Sequence, residues 1–442
     1  MAAPVSFSGL ASGLDTTSLI AKLVAAEKSG EAQYTTEQTT ISNQKSIIDG
    51  MTSTVASLGS LASDMALPST LQLRTASSSD SHVSVAVSGS ATPTVHDIRV
   101  NQLAASQVAS SNTYASDTAG IAGAGTLQLT TGTTSATVTW DGTDTLSSIA
   151  TKINNANAGA TASVLFDGSQ YRLMVSSKTT GTANATSFVE TGSSLGLDNP
   201  ANIKVPAKDA KISIDGVDIV RSSNIIDDAL PGTTITANSV HAAAESDSSV
   251  TVSVDTTALT AKLQAFITAF NSVAGATTGQ LTYNASATTQ SALFGDSTLR
   301  GLQSSMSAFT SRTFGGMNLT DLGVSMDQDG LLSLDSGKLT TALQANPDAI
   351  TNLFVTGGLA SAVKSLSDLY SEPGDGVLVV KSAGMTDRSK LLQGQIDQIE
   401  TNATALQTRL QAQFSALETA MSQLQGQSSY ITQMMSQTST TG

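Results

Sequence analysis

The sequence predicts an α+β multidomain fold: terminal coiled-coil legs and a helical domain from both chain ends, with two inserted β-rich head domains. Three observations support this prediction. Apolar residues recur at every seventh position over the last fifty residues, and again between about 33 and 66. Between about 83 and 254 the apolar period changes to two, which is typical of β-strands. We therefore expect a chain that leaves a helical region, forms β-rich domains and returns.

The C-terminal repeat predicts one long helix with a seam for another helix. Its two columns are Ile396, Ala403, Leu410, Leu417, Leu424 and Ile431, and Ile399, Leu406, Gln413, Ala420, Gln427 and Met434. The steps alternate between three and four residues, which keeps both columns on one helix face. From 396 to 434 this helix would be roughly 58 Å long at about 1.5 Å per residue.

The N-terminal region carries a matching pattern. Its columns are Ile41, Ile48, Val55 and Ala62, and Met51, Leu58 and Met65. A shorter helix is predicted before them, because a glycine-rich opening with Gly9 and Gly13 leads to Asp15, a good N-cap. We expect Gly30 to end this helix, whose apolar face is Leu19, Ile20, Leu23 and Val24.

Alternating apolar residues and turn dipeptides predict strands in the middle of the chain. The alternation is found in Val83, Val85 and Val87, in Leu127 and Leu129, in Val138 and Trp140, and in Ile212 and Ile214. The turn signals are Asp141-Gly142, Asp167-Gly168, Asp215-Gly216 and Pro231-Gly232. One helix, around Leu146 to Asn155, interrupts this region. The pattern indicates two small β-rich domains.

Helical periodicity returns at Asp255. The apolar residues Leu259, Leu263, Phe266, Phe270 and Val273 share one helix face, which we interpret as core. A Gln328-Asp329-Gly330 turn between two short apolar runs predicts a hairpin. Asp335 and Asn346-Pro347 then predict the starts of two more helices.

These patterns divide the chain into seven predicted segments. The ends, 1–40 and 391–442, are coiled legs. The helical domain has two parts, 41–76 and 255–390; one β-rich domain has two parts, 77–118 and 207–254; and 119–206 is the outer β-rich head.

Composition argues against several classes of protein. With a net charge of -14 and no basic run, the chain lacks the clustered cations that nucleic-acid binding needs. The absence of cysteine excludes disulfides and thiolate metal sites. Aromatic residues make up only 4% of the chain, so its core is thin. Oligomers and filaments fit this composition better than a compact enzyme, although bacterial adhesins share it.

We predict neither a cleaved signal peptide nor a membrane span. The first 17 residues lack a basic region and an apolar core of signal-peptide length. No stretch approaches the ~18 to 20 apolar residues that cross a bilayer. A cytoplasmic protein satisfies this, and so does one exported by a route without a cleaved signal.

The one catalytic motif is better explained by local structure. Residues 192–196 match the nucleophile-elbow pattern around Ser194. That chemistry requires a helix directly after the serine, whereas a loop-rich run follows here. We therefore predict no enzyme activity and no cofactor.

Candidate metal ligands also lack the required spacing. Asp327, Asp329, Gly330 and Asp335 resemble a calcium loop, but the glycine is at position four where an EF-hand needs it at six. The three histidines, His82, His96 and His241, show no metal spacing, so we predict surface or packing roles for them. No metal site is expected.

The terminal stripes are the predicted functional surface. We expect residues 8–66 and 391–434 to gain order by packing against helices of other subunits. Glutamine at some seam positions suits a seam that binds and adjusts. The predicted partner-binding residues are Leu14, Leu19, Leu23, Ile41, Ile48, Val55, Ile396, Ile399, Leu406, Leu410, Leu417, Leu424 and Ile431.

Three stretches of the sequence resemble one family. Ser12-Gly13-Leu14-Asp15, followed by a helix that runs to Glu27, is similar to the start of the flagellar hook-associated protein 2 family. The stretch from Gly125-Thr126-Leu127 to Tyr171-Arg172-Leu173 resembles the hook IN motif, which some flagellins share. The stretch from Leu322-Gly323-Val324 to Leu353-Phe354 resembles the C-terminal region of the filament cap proteins.

The resemblance implies a cap at the extracellular tip of the bacterial flagellum. It implies export by the flagellar type III apparatus, an export chaperone, and a homo-oligomeric ring, a pentamer by family resemblance. It also implies contacts with flagellin and with the hook–filament junction protein. The cap would promote the folding and insertion of flagellin and prevent its loss.

Two alternatives remain open from the sequence. One is a hook–filament junction protein or a flagellin-like structural protein, which would share the coiled ends. The other is an adhesin, in which the β-rich head would bind mucin or other glycans.

Overall fold

Helices form both ends of the described chain and antiparallel strands form its middle; the structure, a computed structural model, describes residues 13–121, 123–283, 285 and 290–438. The helices are α1 Thr16–Glu27, α2 Glu31–Met65, α3 Pro68–Leu71, α4 Leu146–Ala156, α5 Thr256–Leu281, α6 Ser297–Ser311, α7 Ser336–Ala345, α8 Ala349–Thr351, α9 Leu359–Ser371 and α10 Val377–Thr438.

The first strands are β1 Arg74–Ser78, β2 Val83–Val87, β3 Thr94–Gln102, β4 Val108–Ser110, β5 Gly125–Thr131, β6 Thr134–Trp140, β7 Ala160–Phe166, β8 Tyr171–Ser177 and β9 Thr186–Gly192. The remaining strands are β10 Ile203–Val205, β11 Ala210–Ile214, β12 Val217–Arg221, β13 Ile225–Leu230, β14 Thr233–Ala237, β15 Ser248–Val254, β16 Val324–Met326 and β17 Leu332–Leu334.

The chain forms two compact units. The first takes in the described residues of Met1–Ala66, Leu263–Leu339 and Asn352–Gly442. The second takes in those of Leu67–Lys262 and Thr340–Thr351. The predicted α+β class is confirmed, since long helices from the two chain ends pack together and antiparallel sheets are inserted between them in the sequence. The finer division into seven segments stays a prediction.

Two hydrophobic cores lie within the second unit. Strands in the orders β6-β5-β9 and β10-β4-β8-β7 form two sheets that enclose one core together with α4. Strands in the orders β1-β15-β3-β11-β12 and β13-β14-β2 enclose the other. The buried residues Leu127 and Leu129 alternate along β5 with outward-facing polar residues, as the period of two predicts.

Capping side chains set the helix starts that the sequence predicts. The Asp15 carboxylate accepts the backbone N–H of Ser18 at 2.9 Å, and Asp255 accepts that of Ala258 at 2.8 Å. Thr145 and Ser148 form a reciprocal capping box at the start of α4. Each cap satisfies backbone donors that have no partner within the helix.

Three helical regions take a form that the sequence did not specify. The C-terminal helix begins at Val377, because the breakers Pro373 and Gly374 lie just before it. The helix predicted after Asn346-Pro347 is instead the short α8 followed by a π-helical turn, Asn352–Thr356. The predicted break near Gly30 is a single 3-10 turn, Lys28–Gly30, between α1 and α2.

Candidate partner-binding helices

The N-terminal helices run antiparallel to α10 within one chain. Arg388 Nη2 on α10 lies 2.7 Å from Glu37 Oε1 on α2, and Lys28 Nζ lies 3.6 Å from Glu400 Oε1. The numbering along α10 rises as the N-terminal numbering falls, which defines the antiparallel register. Exposed ion pairs of this kind contribute only about 0–1 kcal/mol each, so apolar packing supplies most of the stability of the pairing.

Part of the predicted seam is buried inside the chain's own helical unit. Ile48, Val55 and Ile396 are only 0%, 1% and 7% exposed. The Ser367 hydroxyl of α9 donates to the Val55 carbonyl oxygen at 2.8 Å, so a third helix closes over this part of α2. Burial of a side chain of this size contributes about 1.5–3 kcal/mol, which makes these residues part of an internal core.

A second group of seam residues is half-buried, and one of them lies near the turn between α1 and α2. A Cβ built at Gly30 would lie 3.8 Å from Ile399 Cδ1, which locates this part of α10 against that turn. The half-buried group consists of Ile41, Ile399, Leu406 and Leu410.

The third group is exposed. On α10, Leu417, Leu424 and Ile431 are 44%, 60% and 57% exposed, and every described side chain from 422 to 435 is exposed. Near the start of the described chain, the exposed seam residues are Leu14, Leu19 and Leu23. An apolar column at a spacing of seven residues is therefore uncovered over the far part of α10.

Part of the surface that was expected to pack against other subunits is covered within the chain itself. In the structure, α1 and α2 each pack against the near part of α10. Two complementary apolar faces in one chain meet at a high effective concentration, which favours this pairing over one between chains. Gly9 and Ser12 lie outside the described residues. The partner-binding role of the thirteen seam residues stays a prediction.

Ser194 lies in a turn held by a carboxylate. Its hydroxyl donates to Glu190 Oε2, which also accepts the backbone N–H of Gly196 at 3.0 Å. Glu190 Oε1 accepts the N–H of Leu197, also at 3.0 Å. The next helical residues are a 3-10 turn at Pro200–Asn202, so the strand–serine–helix geometry of a nucleophile elbow is not formed here.

The acidic loop at Asp327 is the turn of the predicted hairpin. Asp327 Oδ1 accepts the backbone N–H groups of Asp329 and Leu331 at 3.0 and 2.8 Å. This carboxylate therefore closes the turn between β16 and β17, which pair in antiparallel fashion. The hairpin prediction is confirmed.

Two of the three histidines meet in space, which spacing along the sequence did not reveal. The rings of His82 and His241 stack with centroids 4.2 Å apart, and Asp80 lies beside them. The Ser248 hydroxyl donates to the Asp80 carboxyl and holds its pKa below the ordinary value. The third histidine, His96, pairs with Asp215.

Comparisons with known proteins identify the family. Models described as the flagellar hook-associated protein 2 N-terminus and C-terminus match residues 12–107 and 207–426, and one described as the flagellin hook IN motif matches residues 126–179. Flagellar hook-associated protein 2 of Escherichia coli O157:H7 is 30% identical, over 98% of this chain and 98% of its own length. The A-type flagellar hook-associated protein 2 of Pseudomonas aeruginosa is 28% identical, over 99% and 98%.

A solved structure supports the same assignment. The crystal structure of the D1-D2-D3 domains of the flagellar cap protein FliD from Escherichia coli superposes with a TM-score of 0.63 and 26% sequence identity. It covers 77% of this chain and 99% of that one.

The fold and these matches define a structural protein of the bacterial flagellum. More specifically, the chain belongs to the flagellar hook-associated protein 2 family, and it is a cap protein of the filament tip, outside the cell. The family is structural and not enzymatic, in line with the turn at Ser194. None of the described helices has both the length and the apolar composition that a bilayer span requires.

Proposed function

We propose that the cap holds the filament tip through the exposed part of its terminal helices, which we call the leg surface. It consists of Leu417, Leu424 and Ile431 on α10, with Leu14, Leu19 and Leu23 near α1. The observation that carries the proposal is the exposure of three large apolar residues at intervals of seven on one helix. Its partners would be apolar helix faces of other filament components.

The energetics suit binding that is firm and reversible. Each large side chain that a partner helix covers contributes about 1.5–3 kcal/mol. Between 415 and 435 the helix carries one charged residue, Glu418, so few ion pairs would fix the register. A leg of this kind can release and bind again one heptad further on, as a cap on a growing filament must.

The partners follow from the family and the surface together. As a cap of the filament tip, the chain interacts with filament components. We infer that these are flagellin and the hook–filament junction protein, with an export chaperone before assembly. We also infer that the copies of the chain form a closed ring, five by family resemblance, under which flagellin folds, inserts and is retained.

Charge substitutions on the leg surface test the proposal. We expect Leu424→Asp with Ile431→Asp to abolish capping in cells whose only cap is the variant, because a buried carboxylate opposes helix packing. The matched control is Ser422→Asp with Ser429→Asp, which adds the same charge on another face of the same helix segment. Filament length and secreted flagellin are the measurements.

The expected result is short filaments and lost flagellin in the first variant, with near-normal filaments in the control. Circular dichroism checks that both variants keep the helical content of the original chain. Normal filament growth with Leu424→Asp and Ile431→Asp would refute the leg surface.

The ring has its own test. Purified full-length protein should form small closed particles of uniform mass in light scattering and electron microscopy. Monomers at all concentrations would contradict the ring, and long filaments would indicate a flagellin-like assembly.

One observation favours the adhesin as a second role. The outer face of the β6-β5-β9 sheet has no charged residue among its nine outward positions. These are Thr126, Gln128, Thr130, Ser135, Thr137, Thr139, Ser187, Val189 and Thr191. Hydroxyl groups can hydrogen-bond to glycans. Thr126→Ala with Thr137→Ala should weaken mucin binding and leave filaments normal, and unchanged mucin binding would contradict this second role.

A further inference from the structure

Among the residues that the structure describes, two methionines near the end of α10 are more exposed to solvent than all the others. Met434 and Met435 are 54% and 69% exposed. Three methionines are buried, at 4%, 0% and 2% exposure: Met51, Met65 and Met306. The other described methionines are half-buried, namely Met174, Met317, Met326, Met385 and Met421. An oxidant in solution therefore reaches the sulfurs of Met434 and Met435 first.

Both exposed methionines adjoin Ile431 of the leg surface. Met434 follows Ile431 by three residues and Met435 follows it by four, and residues at these spacings are neighbours on a helix face. Since Ile431 is itself 57% exposed, the three side chains form one apolar patch, which we call the terminal patch. A partner helix that covers Ile431 would also cover the two methionines.

Methionine suits a surface that binds more than one partner. Its side chain is unbranched and its thioether is polarisable, so it packs against apolar faces of different shape. The leg surface, as proposed above, binds helices of several filament components. The same sulfur is also the group of the terminal patch that a peroxide attacks.

The chain has no thiol that would react before its methionines. It contains no cysteine, and thiolates are otherwise the side chains that peroxides oxidise readily. As a cap outside the cell, the chain meets the oxidants of its medium directly. Exposed methionine is therefore the side chain through which a peroxide acts on this protein.

We propose that Met434 and Met435 are an oxidation site through which peroxides weaken the hold of the leg surface; the effect depends on the leg function proposed above. With hydrogen peroxide, the sulfur lone pair attacks one oxygen and the O–O bond breaks. The sulfur keeps that oxygen as a sulfoxide, and its proton passes to the leaving oxygen, which departs as water. The thioether is oxidised by two electrons and the peroxide is reduced by two.

Oxidation makes the terminal patch polar. The sulfoxide oxygen is a hydrogen-bond acceptor, and an apolar helix face offers it no donor. Two sulfoxides beside Ile431 should weaken the binding of a partner helix by about tenfold or more. Because a bound partner covers both sulfurs, the reaction takes place while the leg is free. Sulfoxide reductases restore the thioethers, so the effect is reversible.

Peptide mass spectrometry of the purified full-length protein in hydrogen peroxide tests the chemistry. Met434 and Met435 should each gain one oxygen at least about tenfold faster than Met51, Met65 and Met306. Circular dichroism checks that the helices persist during the treatment. Equal rates for the exposed and the buried methionines would overturn the oxidation site.

Two double variants, each expressed as the only cap in the cell, test the effect on capping. Met434→Gln with Met435→Gln gives both positions a polar group, as the sulfoxides do, and should shorten filaments and release flagellin. Met434→Leu with Met435→Leu is the matched control, because leucine keeps the patch apolar and has no sulfur to oxidise. Its filaments should stay normal in dilute hydrogen peroxide that shortens those of the original chain.

The possible results distinguish the oxidation site from the leg surface. If Leu424→Asp with Ile431→Asp abolishes capping but Met434→Gln with Met435→Gln does not shorten filaments, the oxidation site is refuted and the leg surface stands. Equal sensitivity to peroxide in the original chain and in the Met434→Leu, Met435→Leu variant also refutes the oxidation site. Normal capping by Leu424→Asp with Ile431→Asp refutes the leg surface and, with it, the effect of oxidation on capping.

Discussion

The near and far parts of α10 carry the same apolar repeat but have different surroundings. In the near part, Ile396 and Ala403 are 7% and 0% exposed, because α1 and α2 lie against them. In the far part, Leu424 and Ile431 are 60% and 57% exposed. The heptad is continuous through both, so the repeat by itself does not say which part is core and which is surface.

This difference shows that a heptad repeat indicates that a helix can pair with another helix, but does not identify which one. The N-terminal helices are shorter than α10: α1 and α2 run from Thr16 to Met65, with one short break, whereas α10 has 62 residues. The near part is therefore paired inside the chain. The far part extends past the described N-terminal helices, so its apolar face is uncovered.

The largest expected effect comes from truncating one residue of the buried seam, on α2, and one residue of the far part of α10. Ile48→Ala should lower the free energy of unfolding by about 2–5 kcal/mol, because it leaves a cavity in the seam. Leu424→Ala should change the free energy of unfolding by less than about 0.5 kcal/mol, because its side chain is exposed. Denaturant unfolding followed by helical circular dichroism measures both. Equal losses would mean that the far part is also core.

Two glycines of α2 give a smaller and sharper contrast. A Cβ at Gly59 would overlap the Ser367 side chain of α9, whereas a Cβ at Gly50 meets nothing within 4 Å. Gly59→Ala should therefore destabilise the helical unit by about 1–3 kcal/mol through overpacking.

Gly50→Ala is the matched control for that prediction. In the same helix but in open space, it should stabilise by about 0.5–1 kcal/mol through helix propensity. The melting temperatures of the two variants should move in opposite directions. A rise for Gly59→Ala would show that α2 and α9 do not approach as closely as the structure has them.

The smallest effect is a pH dependence confined to the near part. Lys45 Nζ and the Ser382 hydroxyl of α10 donate to Asp49 at 2.6 and 2.5 Å and hold the pKa of its carboxyl below the ordinary value of 3.8. Since this pKa is lowered by folding, the stabilisation is present above pH 3.8 and is lost as the pH falls through the folded pKa.

Asp49→Asn should reduce that loss of stability as the pH falls below the ordinary carboxyl value of 3.8. The difference should be about 0.5 kcal/mol or less, because Asp49 is partly exposed and water screens its charge. Ser382→Ala should reduce it in the same direction, since it removes the contribution of α10 alone. Identical pH profiles for Asp49→Asn and the original chain would contradict this role.

Much of the fold could be predicted because it depends on local chemistry. Asp15, Thr145 and Asp255 lie at helix starts in the sequence and cap them in the structure, since a capping bond spans only three residues. The period of two predicted the strands around Leu127 and Val138, which pair directly. The π-helical turn after α8 was not predicted, because a one-residue widening of a helix has no simple sequence signal.

The candidate sites could be predicted only in part. The sequence predicted the apolar columns of the leg surface. It did not predict that Ile48 and Val55 are buried and that Leu424 is exposed. The histidine group was missed altogether, because His82 and His241 are far apart in the sequence and meet only when the sheets assemble.

The sequence by itself determined which segments became helices and strands, because amphipathic repeats, caps and turn residues act between near neighbours. It also determined that the two chain ends could pair. The assembled structure alone decided which helix each face meets and which side chains converge from distant strands. Those outcomes depend on contacts between residues hundreds of positions apart, for which periodicity and propensity carry no information.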